Sequence, residues 1–433
     1  MKINLILKGF FILCIFSFQC FSQSINFEAK GILFLQDADF GTFSLVTNTI
    51  ERDKSASDKM GAILFPLQYG DNQNFSDQNI SNSWLNNKKA IAVMSDNRLS
   101  YVIETKGQIK KEETSNSIDR NNLPDGYYVS VVDISNLRNI KAEYRFPVGN
   151  NPIALSLSGN NEYLAVAGEA YNQELQVFEL NEFGKPIRTI QKPNLLGLGA
   201  ITDIEWHPSG DFLAYLKKDT KEIGLIKVVK DGPTKKIVRL ELLGNSIKME
   251  GLPEVGKFSK DGKYFVVLDQ ISEYSKNQEQ SKGKVFIIKF NYEDQGNHFL
   301  ISKTEVEENP SNLVLHPNGI NILVSNMKRS FEYPINANYT NKSSISVLSL
   351  SNDGTISNLN TINLGSIMPT SFAFDKSGKN LAVGIFQYLN FGKTFGGIDF
   401  YSFFEGPKPN IVKQNFSIYT SKGTHFLKVI EDY

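Results

Sequence analysis

Residues 207–216, "HPSGDFLAYL", decide the fold, because they combine a tight turn with a buried strand. Pro, Ser, Gly and Asp favour a reverse turn, and the apolar and aromatic residues that follow favour a strand. The pattern returns in the phrases that begin at Ser95, Ser158, Ser259, His316 and Asp375. A hairpin that recurs at intervals of about 50 to 65 residues indicates a repeat architecture.

Each repeat has room for four short antiparallel strands. We interpret the recurring hairpin as the link between the second and third strands of a unit. A fourth strand follows, as in "SSISVLSL" from Ser343, and the next unit opens with a more polar strand, as in "ISNLNTINLG" from Ile356. Units of this kind are typical of β-propeller blades, and six can be counted.

The two chain ends supply a seventh unit. "GILFLQDADFGTFSLVTNT" from Gly31 predicts a third and a fourth strand, and "IVKQNFSIYT" and "THFLKVIEDY" near the C-terminus predict the missing first pair. A shared blade closes the ring and leaves no sheet edge open at the seam. The sequence therefore predicts an all-β, seven-bladed β-propeller of four-stranded antiparallel blades, closed by pairing of N- and C-terminal strands.

The first residues predict export. Lys2 and Lys8 precede or flank a short apolar stretch, and small residues follow it, which is the pattern of a secretory signal peptide at residues 1–22. An uncleaved anchor helix and a lipoprotein lipidated at Cys20 are the alternatives. Cleavage leaves residues 23–433 as a single propeller domain in an extracytoplasmic location, periplasmic or secreted, without membrane insertion. Both cysteines, Cys14 and Cys20, lie in the removed segment, so we expect no disulfide and no thiolate chemistry.

Charge and motifs exclude several partners. Lys plus Arg and Asp plus Glu both number 46, so no net field favours nucleic acid. Neither metal-ligand spacing nor a phosphate-binding glycine loop is present, and we expect no metal and no cofactor. His207 and His316 precede the recurring turn, where we expect them to bond to the turn backbone. We expect a monomer.

Two phrases carry a family resemblance: "ELQVFELNEFGKPI" from Glu174 and "SISVLSLSNDGTISNLNTINLGSIMPTSFAFDKSGKNLAVG" from Ser344. With them the chain resembles the lactonase-type propellers related to 6-phosphogluconolactonase and to the muconate-pathway cycloisomerases. The resemblance implies a site on the face with long loops, with Asp269 as base or water-orienting acid and Arg329 stabilising an oxyanion. The chain departs from the family pattern near Thr202, where a histidine is expected.

Four long connections, at 105–125, 270–282, 327–342 and 386–395, are predicted to share one face, which is typical of a binding site. Two of them carry aromatic residues that could stack on a sugar or anchor a partner protein: Phe331, Tyr333 and Tyr388. Alternatively, these rings pack against each other. Polar residues at equivalent strand ends are predicted to ring the channel mouth and contact a polar ligand: Glu104, Glu169, Lys217 and Asn326. Alternatively, these four residues are solvated strand ends that contact no ligand.

These features predict a secreted, lactonase-like propeller that acts as a binding module for a carbohydrate or protein ligand through its long-loop face. The alternative is a hydrolase or isomerase that acts on a sugar-derived lactone.

Overall fold

The computed structural model describes residues 25–51, 57–67, 74–80, 88–107, 117–193, 196–197, 199–270, 282–293, 296–388 and 395–431. Seven antiparallel sheets of four strands each form the blades of a propeller, which confirms the predicted fold class. The signal-peptide prediction lies outside the described residues. None of the helices in the described ranges is long and apolar enough to cross a membrane.

The blades are named in the order of their second strands along the chain, and each is given from its inner to its outer strand. Blade 1 contains β30 (Thr424–Ile430), β1 (Gly31–Gln36), β3 (Lys59–Leu64) and β4 (Phe75–Asn79). Blade 2 contains β5 (Ile91–Val93), β6 (Leu99–Lys106), β8 (Asp125–Asp133) and β9 (Lys141–Pro147). Blade 3 contains β10 (Pro152–Leu157), β11 (Tyr163–Gly168), β12 (Leu175–Leu180) and β13 (Pro186–Ile190). Blade 4 contains β14 (Asp203–Trp206), β15 (Phe212–Lys217), β16 (Glu222–Lys230) and β17 (Ile237–Lys248).

Blade 5 contains β18 (Leu252–Phe258), β19 (Phe265–Gln270), β20 (Lys282–Lys289) and β21 (Phe299–Glu308). Blade 6 contains β22 (Pro310–Leu315), β23 (Asn321–Asn326), β24 (Ser343–Leu350) and β25 (Ile356–Leu364). Blade 7 contains β26 (Ile367–Phe374), β27 (Asn380–Gln387), β28 (Phe395–Phe404) and β29 (Asn410–Ser421). The loop after β1 adds the helix α1 (Ser44–Thr47) and β2 (Thr49–Glu51), which pairs with β7 (Ser117–Asp119).

The recurring hairpin joins the inner strand of a blade to its second strand, so the predicted assignment of strands to blades is shifted by one. The phrase at residues 207–216 is the turn from β14 to β15. The polar strand β25 pairs with β24 and forms the rim of blade 6, instead of opening the next blade. A rim strand has one sheet edge in solvent, which explains its polar residues. The sequence does not distinguish a polar rim strand from a polar first strand.

The ring closes with three strands from the N-terminal region and one from the C-terminus. β30 pairs with β1, with Phe34 opposite Leu427, which confirms closure by terminal strands. The division within this blade differs from the prediction, because "IVKQNFSIYT" belongs to β29, the rim strand of blade 7.

The repeated hairpin has a conformational cause. One residue in each of six turns has a positive φ, between 55° and 74°. Glycine adopts this conformation without strain and asparagine tolerates it, which restricts the turn to those two residue types. The residues are Asn97, Asn161, Gly210, Gly262, Gly319 and Gly378.

Apolar side chains between neighbouring blades form the core. One cluster joins Leu268 of blade 5 to Val324 of blade 6, and another joins Leu323 of blade 6 to Val383 of blade 7. The strands that follow the turns are apolar on both faces because each blade is covered by two neighbours.

Candidate functional site

Two faces of the propeller are defined by strand direction. Neighbouring inner strands run in the same direction, as the parallel bridge between Lys89 and Ala154 shows for blades 2 and 3. Within a blade the inner and second strands are antiparallel, so the start of one lies beside the end of the other. We call the face where the inner strands start and the second strands end the loop face, because it carries the connections from second to third strands. The opposite face, with the recurring hairpins, is the turn face.

Five titratable side chains from four blades lie around the channel on the loop face, and we call them the mouth cluster. Lys88 precedes β5, Glu254 and His425 lie near the starts of inner strands, Lys218 follows β15, and Asp269 is near the end of β19. Glu254 forms an ion pair with Lys218, in which the Lys218 ammonium nitrogen lies 2.6 Å from a carboxyl oxygen of Glu254. Its charge also acts on the pKa values of Lys88 and Asp269, which places these groups in one electrostatic network.

Asp269 is the buried carboxyl of this cluster, with 1% of its surface exposed. One carboxyl oxygen accepts a 3.0 Å hydrogen bond from the Gly251 N–H, and the other has no hydrogen-bond partner among the described residues. Burial raises the pKa of Asp269 to about 6. At neutral pH the carboxylate is therefore mostly ionised and basic enough to accept a proton.

Lys88 has a pKa shifted in the opposite direction. Burial lowers its pKa to about 8, with Glu254 opposing the effect and Lys218 adding to it. His425 is buried as well, and burial and Lys88 both lower its pKa to about 4, so its imidazole is neutral at pH 7. His425 Nδ1 lies 2.9 Å from the Gly423 carbonyl, while Nε2 has no partner in the described part of the chain.

The predicted channel-mouth residues lie at the loop-face ends of second strands, in different surroundings. Lys217 is buried and donates a 2.7 Å hydrogen bond to the Leu196 carbonyl, and burial lowers its pKa. Asn326 is fully buried and donates to the hydroxyls of Ser344 and Ser346 at 3.1 and 3.0 Å.

The two predicted glutamates are more accessible. Glu104 is half-buried, and burial raises its pKa against the opposing charge of Arg145. Glu169 is exposed. Ligand contacts by these four strand-end residues stay predictions.

Arg329 lies in the loop after β23 and contacts two glutamates. It forms an ion pair with Glu332 in the same loop and a 3.9 Å contact with Glu308 of blade 5. Arg329 and Glu332 are both buried. These contacts connect the loop of blade 6 to blade 5. The role of Arg329 in stabilising an oxyanion stays a prediction.

The predicted aromatic residues differ in exposure. Phe331 is buried in a loop-face cluster with Phe40 and Phe386. Tyr388 donates a 2.7 Å hydrogen bond to Asp399 of its own blade. Tyr333 is 39% exposed and stacks on Phe43 with ring centroids 4.0 Å apart. Of the three rings, Tyr333 is therefore the most accessible to a ligand. Residues 389–394 of the predicted aromatic loop lie outside the described residues.

Sequence reasoning did not identify Lys88, Glu254 and His425 as site residues. Each lies at the start of an inner strand, and no motif marks it. The correct assignment of strands to blades is needed to find them. It places the starts of the inner strands beside the ends of the second strands, where the predicted site residues lie. No cluster of three or more metal-ligating side chains occurs among the described residues.

The predicted structural role of His207 and His316 is confirmed. Their Nδ1 atoms accept hydrogen bonds from the turn N–H groups of Ser209 and Asn318, both at 3.1 Å. Each Nε2 also reaches the turn of the next blade, so that His316 lies 2.8 Å from the Gly378 carbonyl. These histidines link neighbouring hairpins.

Comparison with known proteins shows the fold. No family model and no curated protein matches the chain. A "putative 6-phosphogluconolactonase" of Bacteroides fragilis superimposes with a TM-score of 0.62 at 13% identity, covering 93% of this chain and 98% of that one. A similarly named structure from Bacteroides uniformis gives 0.60 at 13% identity, with 93% and 100% covered. The periplasmic gluconolactonase of Pseudomonas aeruginosa gives 0.60 at 12% identity, with 92% and 99% covered. The chain therefore has the fold of the lactonase-type seven-bladed propellers, as the sequence resemblance predicts.

Proposed function

We propose that the chain hydrolyses a sugar-derived lactone at the mouth cluster. The observation that carries the proposal is the pairing of a carboxyl whose pKa is raised to about 6 with an ammonium whose pKa is lowered to about 8 at one channel mouth. Groups with pKa values on either side of neutrality suit acid–base chemistry, and such shifts cluster at active sites. The lactonase names of the similar structures support this choice of substrate class.

Asp269 and Lys88 have separate roles in this proposal. The Gly251 N–H orients the Asp269 carboxylate, whose second oxygen can accept a proton from water. The water oxygen bonds to the lactone carbonyl carbon, the ring C–O bond breaks, and the proton passes to the leaving alkoxide. The Lys88 ammonium stabilises the negative charge that develops on the carbonyl oxygen. The products are one hydroxyl and one carboxylic acid, which releases its proton to solvent at neutral pH.

The test is turnover of plain and phosphorylated sugar lactones by the chain that begins at Gln23, compared with Asp269→Asn. We expect kcat to fall about 100-fold or more in the variant at pH 7, because general bases contribute on that scale. Asp219→Asn is the matched control, since Asp219 is an exposed carboxyl in the connection from β15 to β16 on the same face. No turnover by the parent chain, or equal loss in both variants, would contradict the proposal.

The pH profile is a second readout. Activity should rise with pH through about 6, as Asp269 loses its proton, and fall above about 8, as Lys88 loses its charge. Lys88→Gln should remove the alkaline limb and keep the acidic one. A profile in which Lys88→Gln leaves the alkaline limb unchanged would exclude Lys88 from the reaction.

A binding module is the second candidate, and the loop of blade 6 favours it. Tyr333 is 39% exposed and Ile335 is 96% exposed, so this loop presents apolar surface that a sugar ring or a partner protein could cover. Tyr333→Ala should then abolish binding in a glycan or partner screen. Ile320→Ala is the control, because Ile320 is 51% exposed in a hairpin of the turn face. Equal binding by the parent and Tyr333→Ala would contradict this candidate.

An extracytoplasmic location is part of the proposal. The predicted signal peptide supports it, and so does the periplasmic name of the Pseudomonas protein. N-terminal sequencing of the protein from the producing cells should begin at Gln23. A mature protein that retains Met1 would contradict export by cleavage.

A further inference from the structure

The contact between blades 4 and 5, which we call the 4–5 interface, contains two of the four histidines of the chain. His207 lies in the hairpin between β14 and β15 on the turn face. Its Nδ1 accepts a 3.1 Å hydrogen bond from the Ser209 N–H, and its Nε2 lies 3.1 Å from the Gly262 carbonyl of blade 5. Because Nδ1 is an acceptor, the ring proton is on Nε2 and is donated across the interface.

His298 makes the same kind of link in the opposite direction, from blade 5 to blade 4. It lies just before β21, where its Nδ1 accepts a 3.1 Å hydrogen bond from the Asn291 N–H. Its Nε2 lies 2.8 Å from the Leu243 carbonyl in β17, the rim strand of blade 4. The two histidines therefore join the same pair of blades at the turn face and at the rim.

Each imidazole ring fits closely against a glycine of the opposite blade. A Cβ atom added to Gly262 would lie 2.2 Å from His207 Nε2. A Cβ atom added to Gly244 would lie 3.0 Å from His298 Nε2. Aromatic side chains also contact both rings. These surroundings leave little room for water to solvate a charged imidazole ring.

Protonation of either ring is incompatible with the closed interface. A proton on Nδ1 turns the acceptor of a backbone N–H into a donor. The new charge is also poorly hydrated, and burial lowers the pKa of both His207 and His298. An opened interface hydrates the rings and returns their pKa to about 6.5. The opened state therefore binds protons more tightly, and it is favoured as the pH falls below that value.

Two carboxylates act on His207. Asp211, in the same hairpin, and Asp261, in the hairpin of blade 5, raise its pKa and oppose the effect of burial. Asp211 also forms a 2.7 Å ion pair with Lys230. The Tyr292 ring lies 5.1 Å from the His207 ring, and burial raises the pKa of Tyr292, so it stays uncharged. The charge of a protonated His207 is therefore partly compensated.

No carboxylate acts on the pKa of His298 in this way among the described residues, and only its bond to Leu243 opposes burial. Glu241 lies two residues before Leu243 in β17 and forms a 2.5 Å ion pair with Arg239. Glu293, in the turn before His298, is exposed. We therefore expect His298 to dominate the response of the interface to acid.

We propose that the 4–5 interface is an acid-sensitive switch, closed at neutral pH and opened when His298 and His207 take up protons. The interface also carries the Lys218–Glu254 ion pair of the mouth cluster on the loop face, so its opening would disturb that site. The proposal does not rest on lactone hydrolysis, because the two histidines lie on the turn face and at the rim.

The test is hydrogen–deuterium exchange of the chain that begins at Gln23, at several pH values between 7 and 5. Protection factors are compared, because they remove the intrinsic pH dependence of amide exchange. Peptides that contain Asn291 or β17 should lose protection up to about tenfold per pH unit for each histidine that titrates, since each takes up one proton on opening.

Two variants identify the group responsible. His298→Gln has no titratable ring and keeps an N–H that can donate to Leu243, so protection at the 4–5 interface should depend less steeply on pH. A purely structural role would change protection by the same factor at every pH and leave the slope unchanged. His316→Gln is the matched control, because His316 makes the same two bonds between blades 6 and 7. It should keep the parent slope at the 4–5 interface.

If His298→Gln does not fold, His207→Gln provides the same test, because His207 is only half-buried. Equal protection of the 4–5 interface in the parent at pH 7 and at pH 5 would overturn the proposal. So would a slope equal to that of the parent in each histidine variant of this interface that folds. Since no turnover is measured, the result is independent of the proposed lactonase activity.

Discussion

At the scale of the residue, the mouth cluster is defined by burial more than by residue type. Asp269, Lys88 and His425 would be ordinary surface groups elsewhere, and desolvation shifts the pKa of each toward its neutral form. The family resemblance pointed to Asp269, near the end of an apolar strand. It could not find the burial that makes this carboxyl basic, because burial depends on the neighbouring blades.

The first prediction concerns Asp269 and stability. Its folded-state pKa of about 6 lies above the usual 3.8, so the folded state binds the proton more tightly than the unfolded state. The free energy of unfolding should therefore decrease as pH rises from about 4 to about 6. Asp269→Asn should remove this decrease and raise the stability at pH 7 by up to ~3 kcal/mol. Denaturant unfolding at pH 4, 6 and 7 measures both effects, and parallel pH curves for parent and variant would contradict the assignment.

At the scale of the element, the hairpin turn and the long loop behave differently. The turn is local, since a residue with positive φ and its flanking strands suffice to define it, and the sequence predicted it in six blades. The loop at 327–342 is held by distant groups, through the Arg329 contact with Glu308 and the packing of Phe331 against Phe40. Which aromatic residue is an anchor and which is accessible could not be predicted from composition.

Truncation of Phe331 and of Tyr333, which lie in the same loop, should affect stability to different extents. Phe331→Ala should lower the free energy of unfolding by about 3 to 5 kcal/mol, the usual cost of truncating a buried phenylalanine. Tyr333→Ala should cost much less, because Tyr333 is 39% exposed and loses mainly its stacking on Phe43. Thermal and denaturant unfolding of the two variants provide the comparison. Equal losses would mean that both rings are anchors.

At the scale of the whole molecule, the C-terminal strand β30 holds the ring closed. Its Leu427 N–H donates a 3.0 Å hydrogen bond to Ser371 of blade 7, and its backbone pairs with β1 of blade 1. Without β30, blade 1 loses its inner strand and blade 7 loses a covering face. Closure therefore contributes to every blade through its neighbours.

The third prediction tests closure. A chain that ends at Gly423 should lose cooperative unfolding and near-ultraviolet circular dichroism, because two blades expose apolar faces at once. A synthetic peptide of residues 424–433 added in excess should restore both signals, and a scrambled peptide of equal composition should not. A truncated chain with an unchanged Tm would show that the seam contributes little.

The sequence by itself determined that this chain is a propeller closed by its ends. Turn residues such as Gly210 and the apolar strands beside them are local signals, and their repetition reveals the architecture without reference to contacts. The sequence did not determine the assignment of strands to blades. A polar strand such as β25 has the same sequence pattern whether it forms the rim of one blade or the first strand of the next. Only the tertiary structure decided that Lys88, Glu254 and Asp269 meet at one channel mouth. Those meetings depend on ring closure, which brings together residues from blades far apart in the chain.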